Sequence, residues 1–114
     1  MVTLISTLRR KPGTTHEEFL DYWRHRHGPL IAASSAARYV RSYTQHPRSE
    51  GLGDEVPDGV TIQVFDSLDA FYAHMAEADF VDMMTDLEQF LDTSAIEWVV
   101  CDEPAVVLGD DAGR

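Results

Sequence analysis

Thr15-His16-Glu17-Glu18-Phe19-Leu20-Asp21-Tyr22-Trp23-Arg24-His25-Arg26-His27-Gly28-Pro29-Leu30 opens with a capping box, since Thr15 is followed three residues later by Glu18. A helix from about His16 follows. Successive side chains on an α-helix are about 100° apart, so Phe19, Trp23 and His27 share one face while His25 points almost the opposite way. Pro29 has no N–H and disfavours the α region at Gly28, which predicts that the helix stops at His27 and restarts with Pro29 in its first position. His27 then sits at a helix C-terminus. Carbonyl dipoles there favour an imidazolium by a few tenths to about 1 kcal/mol, whereas burial among aromatics favours the neutral ring, and the sequence leaves the net sign open.

On the N-terminal side, Val2 to Leu8 alternates as a first strand, and Lys11-Pro12-Gly13 turns the chain into the helix. On the C-terminal side, Leu30 to Ala37 reads as helix or tight turns and Tyr39 to His46 as a second strand. A loop rich in Gly, Pro, Ser, Asp and Glu, Pro47 to Pro57, leads through Asp58-Gly59 into a third strand, Val60 to Asp66. Ser67 or Asp69 caps a helix over Leu68 to Glu77. A second helical piece carries Phe80, Met83, Met84, Leu87, Phe90 and Leu91 at three- and four-residue spacings. Ile96 to Cys101, extended through Val106 to Leu108, supplies a fourth strand. Residues 1–108 thus form one domain, and Gly109–Arg114 is expected to be a disordered acidic tail.

Strand, helix, strand, strand, helix, strand is the split βαβ order of an α+β, ferredoxin-like fold, βαββαβ, with both helices on one face of a four-stranded antiparallel sheet. The third and fourth strands are apolar on both sides of the pleat, as in Val60, Ile62 and Val64 beside Phe65. An open sheet face of that kind predicts a second copy packed against it, an isologous homodimer.

Composition narrows the function. The 114 residues hold 20 acidic against 9 basic side chains, a formal net charge of −11. That excess argues against nucleic acid and against anionic membrane surfaces as partners. Cys101 is alone, and no leader or spanning run of about 20 apolar residues is present, so a soluble, cytoplasmic setting is expected. Neither a Gly-rich phosphate loop nor a Ser nucleophile elbow occurs.

Several motifs together resemble the EthD-domain family of the dimeric α+β barrel superfamily. They are Lys11-x-Gly13, Glu18-Phe19-x-x-Tyr22-Trp23-x-x-x-His27-Gly28-Pro29-Leu30, Asp58-Gly59-Val60, Phe65-Asp66-Ser67-Leu68 and Asp86-x-x-x-Phe90-Leu91-Asp92-x-Ser94. The resemblance implies a homodimeric barrel with a pocket for a small apolar, aromatic or polyketide-like metabolite. Relatives of this kind include cofactor-free lyases, isomerases, cofactor-free monooxygenases and haem-binding enzymes.

His27 is the candidate catalytic residue, as general acid or base. The other readings are a packing histidine bonded to a backbone carbonyl near the Gly-Pro step, and a metal or haem ligand. His25 is offset by two residues, so His-x-His makes a poor chelate; no metal and no cofactor is expected. Trp23 and Phe19 read as core that also walls the pocket, and Tyr22 lies on the flank of the stripe with its hydroxyl at a rim or interface. Tyr39, Arg41 and Tyr43 alternate onto one strand face, either pocket floor or dimer interface; in the pocket, Arg41 would bind a carboxylate or enolate. Asp66, Ser67, Asp86 and Asp92 read as caps and turn formers, and Met75, Met83 and Met84 as adaptable core or cavity lining. The leading expectation is a cofactor-independent lyase or isomerase. A non-catalytic ligand-binding or accessory protein and a cofactor-free monooxygenase are its alternatives.

Overall fold

β1 (Val2–Leu8) is the hub of the sheet, because it pairs antiparallel with both β3 (Gly59–Phe65) and β4 (Glu97–Cys101). β2 (Val40–Pro47) adds to the far edge of β3, giving the order β2-β3-β1-β4. The computed structural model describes residues 1–109. From Asp110 onward, the expected acidic tail lies outside the described residues. Four helices cross between strands: α1 (His16–Tyr22) and α2 (Gly28–Ala32) after β1, α3 (Leu68–Ala76) and α4 (Phe80–Asp86) after β3. This is the four-stranded, ferredoxin-like α+β arrangement that the order of elements predicts.

Local chemistry sets the helix starts. Thr15 Oγ1 accepts from the Glu18 N–H at 3.1 Å and Glu18 Oε1 accepts from the Thr15 N–H at 2.9 Å, a complete capping box. Ser67 caps α3 by accepting from the Ala70 N–H. The segment between α1 and α2 departs from expectation. Gly28 is helical (φ −55°, ψ −53°), and the chain runs through Pro29 without a stop. Trp23–His27 widens instead into a π-helical turn in which the Gly28 N–H donates to the Trp23 carbonyl. Gln45 Nε2, from β2, donates to the same carbonyl at 2.8 Å and ties the turn to the sheet. His27 therefore stands inside a continuous helical run, not at a C-terminus.

The register sorts the sheet into two faces. Leu4 opposite Gln63 and Ser6 opposite Thr61 and Trp98 face the helices. Ile5 opposite Ile62 and Val99, with Thr3, Thr7 and Val64, face the other way. β2 carries a bulge at Arg41, since Val40 and Ser42 pair with the adjacent residues Phe65 and Val64. The extra residue breaks the alternation expected across Tyr39, Arg41 and Tyr43. β4 stops at Cys101 rather than continuing to Leu108: Cys101 pairs with Thr3, which leaves only Val2 of β1 beyond it, Pro104 lacks a donor, and Val107 and Leu108 are exposed. The second helical piece is also shorter than its apolar spacing suggests, giving way to a 3-10 turn at Leu87–Gln89.

Two core clusters flank the space between sheet and helices. Leu8, Phe19, Trp23, Phe90 and Leu91 form one; Val2, Phe65 and Phe71 form the other. Trp23 is fully enclosed because residue 59 is Gly: a Cβ there would lie 2.6 Å from the indole Cη2. Beyond the first cluster, buried Asp58 accepts from the Arg10 N–H at 2.8 Å and the Arg10 guanidinium at 3.2 Å, and sits 2.7 Å from His16 Nδ1. Burial works against its charge, but these donors hold the carboxyl below the usual carboxylate range.

Candidate functional site

Between the two clusters lies a cavity of about 460 Å³, a size suited to a small molecule of one or two rings. Its wall is mainly apolar and aromatic, with Met75, Met83 and Met84 along the α3–α4 side and Trp98 toward the sheet edge. The polar groups are few: His27 and His74 from the helical layer, Ser6, Tyr43, Thr61 and Gln63 from the strands, and Thr93 from the 3-10 turn Thr93–Ala95. Among the described residues, no Asp, Glu, Lys or Arg lines the cavity. A charged ligand group would lose its water here without a counter-charge, so neutral ligands are favoured.

His27 enters from the π-helical turn and is buried. Its Nδ1 lies 2.8 Å from Asp86 Oδ2, and the Tyr22 hydroxyl donates to Asp86 Oδ1 at 2.6 Å. A carboxylate only accepts, so the neutral imidazole carries its proton on Nδ1 and keeps its lone pair on Nε2. Burial holds the His27 pKa below its ordinary value, an effect the Asp86 hydrogen bond and charge oppose in part. The sign left open by the sequence is thus downward, toward a neutral base at neutral pH. Hydrogen bonding to Asp86, followed by burial, pushes the Tyr22 phenol up, which keeps it a donor. Phe90 stacks on Tyr22 and lies tilted against His27, its centroid 5.0 Å from each ring.

The structure brings His27 and Trp23 to the cavity, with Tyr43 and the three methionines, and leaves Phe19, Tyr22, Tyr39 and Arg41 elsewhere. Phe19 lies one layer back, packed on Trp23 at 4.9 Å between centroids. Tyr22 reaches the site only through Asp86. Tyr39 belongs to the 3-10 turn Ser35–Tyr39, where the Arg38 guanidinium covers its ring at 5.0 Å. Arg41, turned outward by its bulge, is exposed and pairs with Asp66 at 2.7 Å. Neither Tyr39 nor Arg41 lines the cavity; Tyr43 does, and burial pushes its phenol pKa up so that it stays a neutral hydroxyl. His25 and His46 are exposed. Among the described residues, no three His, Cys, Asp or Glu side chains converge as a metal site.

Two residues were hidden from sequence reasoning. Asp86 matched a capping pattern, yet it makes no side-chain cap and spends both oxygens on Tyr22 and His27. Asp92, read the same way, does cap, accepting from the Ser94 N–H at 3.1 Å. His74 sits on α3 three residues after Phe71, a spacing that could have marked it as inward-facing.

The fold and the half-open, mostly apolar cavity define a ferredoxin-like α+β domain with a hollow between its sheet and its helices. The EthD domain model matches residues 11–94, and the chain belongs to the EthD family. Similar solved structures include an EthD family protein from Bacillus halodurans, 16% identical with a TM-score of 0.71 over 91% of this chain and 99% of that one. SnoaB, a cofactor-independent oxygenase from Streptomyces nogalater, is 18% identical with a TM-score of 0.65 over 93% and 95%. A dimeric protein of unknown function and ferredoxin-like fold from Bacteroides fragilis is 15% identical with a TM-score of 0.63 over 90% and 95%. No curated protein matches the chain. At these identities the likenesses establish the fold.

Proposed function

We propose that this EthD-family chain is a cofactor-independent lyase or isomerase in which His27 moves protons on a small aromatic or polyketide-like metabolite. One observation carries the reading: the buried imidazole is held by a carboxylate, not by a backbone carbonyl, and its ring lines the cavity. Nε2 takes a proton from carbon or oxygen, Asp86 stabilises the imidazolium so formed, and the same nitrogen returns the proton to another atom. A positioned imidazole of this kind contributes about 10² to 10⁴ in rate. Dehydration, cyclisation and isomerisation use such a step on uncharged substrates, as does decarboxylation of an acid that enters protonated.

The oxygenase neighbour favours a second reading with the same opening event, deprotonation of a substrate whose anion then reduces dioxygen. Dioxygen uptake distinguishes it. Simple sequestration of a hydrophobic metabolite accounts less well for the Asp86–His27 pair. The reading includes an isologous homodimer of the 1–108 domain: neighbours are described as dimeric, and the outward sheet face offers Ile5, Ile62, Val64 and Val99 for burial. A cytoplasmic location fits the single Cys101. No helix among the described residues is long and apolar enough to cross a membrane.

The test is proton exchange. With 2-tetralone in D₂O, the protein should accelerate deuterium incorporation at the acidic carbon beside the carbonyl, read by mass spectrometry, and His27→Ala should lose that acceleration while staying folded. Equal exchange with both proteins would remove His27 from the chemistry.

A further inference from the structure

His74 projects from α3 onto the same cavity as His27, from a different wall. It is buried, and its Nδ1 lies 2.9 Å from the Ala36 carbonyl oxygen. A carbonyl only accepts, so in the neutral ring Nδ1 carries the proton and Nε2 is the bare acceptor. Ala36 is itself fixed, because its N–H donates to Asp79 at 3.2 Å, beside the Ser35 N–H at 2.6 Å. The ring is further held by Phe65 and Phe80, each at 5.3 Å between centroids. The residue lines the cavity, and among the described residues the Ala36 contact is the one hydrogen bond its ring makes, which leaves Nε2 for a ligand.

We propose that His74 is a second substrate-contacting group, a rigid hydrogen-bond acceptor that selects uncharged ligands bearing an O–H or N–H donor on the α3 side. This rests on the reading of the cavity as a small-molecule site and adds to it a division of labour. His27, backed by a carboxylate, handles the moving proton; His74, backed by a neutral carbonyl, receives a donor and sets which edge of the ring system faces His27. The absence of charged side chains from the described lining matches this choice, since hydroxyls and enols need acceptors rather than counter-ions.

The probe pair is 1-naphthol and 1-methoxynaphthalene, equal in ring system and differing in the donor. Binding is read by quenching of Trp23 and Trp98, which both line the cavity. The wild-type protein should bind the naphthol about 5- to 10-fold more tightly, the effect of one net hydrogen bond. His74→Asn keeps a donor for the Ala36 carbonyl and removes the acceptor at the Nε2 position, its own amide oxygen standing nearer the helix, so the ratio should fall toward one. A ratio that persists in His74→Asn, or no preference in the wild type, overturns the assignment while leaving the His27 reading intact. Failure of both probes to bind overturns the cavity reading itself. Should His74→Asn not fold, long-range ¹H–¹⁵N spectra of the wild type decide: the His74 Nε2 resonance should move with 1-naphthol and not with the ether, and no movement contradicts the proposal.

Discussion

His27 Nδ1 stands 2.8 Å from Asp86 Oδ2, and the two residues lie 59 positions apart in the chain. The π-helical turn delivers one and the end of α4 the other. Because the carboxylate cannot donate, this contact decides which imidazole nitrogen is the base.

Asp86→Asn replaces that acceptor with an amide able to donate to Nδ1, which turns the ring's proton toward the cavity. Deuterium exchange should fall by about 10²-fold or more. Tyr22→Phe removes one hydrogen bond to Asp86 and should cost less than about tenfold. An Asp86→Asn protein as active as the wild type would show that the tautomer is immaterial.

Stability should carry the mark of the buried base. The folded pKa of His27 lies below the ordinary value of 6.5, so between those two pH values the unfolded chain holds a proton that the folded chain lacks. Stability therefore declines as pH drops through about 6.5 and levels off below the folded pKa. His27→Asn, which keeps a donor to Asp86 but does not titrate, should flatten this part of a denaturation-midpoint profile against pH.

Asp58 works in the opposite sense. Its folded pKa is depressed, so its contribution is present above the ordinary value of 3.8 and is lost as pH falls through the folded value. The Arg48 guanidinium also lies 3.6 Å from Asp58 Oδ1, so Asp58→Asn leaves Arg10 and Arg48 facing a neutral amide and should destabilise the fold by about 3–5 kcal/mol in urea titrations. The cavity lies elsewhere, so ligand binding by the protein that stays folded should be unchanged.

Ile62 faces outward in the middle of β3, opposite Ile5. Ile62→Asp places a charge at the centre of the face assigned to the partner copy. Sedimentation should show the wild type as a dimer and the variant as a monomer; a wild type that is monomeric at micromolar concentration would remove the pairing.

The fold was legible because local signals and periodicity agree. The capping box at Thr15, the apolar stripe through Phe19, Trp23 and His27, and the strand alternation at Val2 to Leu8 all point the same way. The site was legible only in part. Asp86 lies too far along the chain for any spacing rule to join it to His27, and Asp at an element end is more commonly a cap. Arg41 leaves the expected face through a bulge, which leaves no trace in an alternating pattern, and Tyr39 ends the 3-10 turn that precedes the strand. The Gly28-Pro29 step predicted a break that the π-helical turn absorbs, since Gly28 donates across the wider ring to Trp23.

The most direct measurement is the pH titration of His27 by long-range ¹H–¹⁵N correlation in the intact protein. The neutral ring should carry its proton on Nδ1, with an unprotonated Nε2 and a midpoint below 6.5 that moves further down in Asp86→Asn. A proton on Nε2, or a midpoint above 6.5, would contradict a neutral base aimed into the cavity.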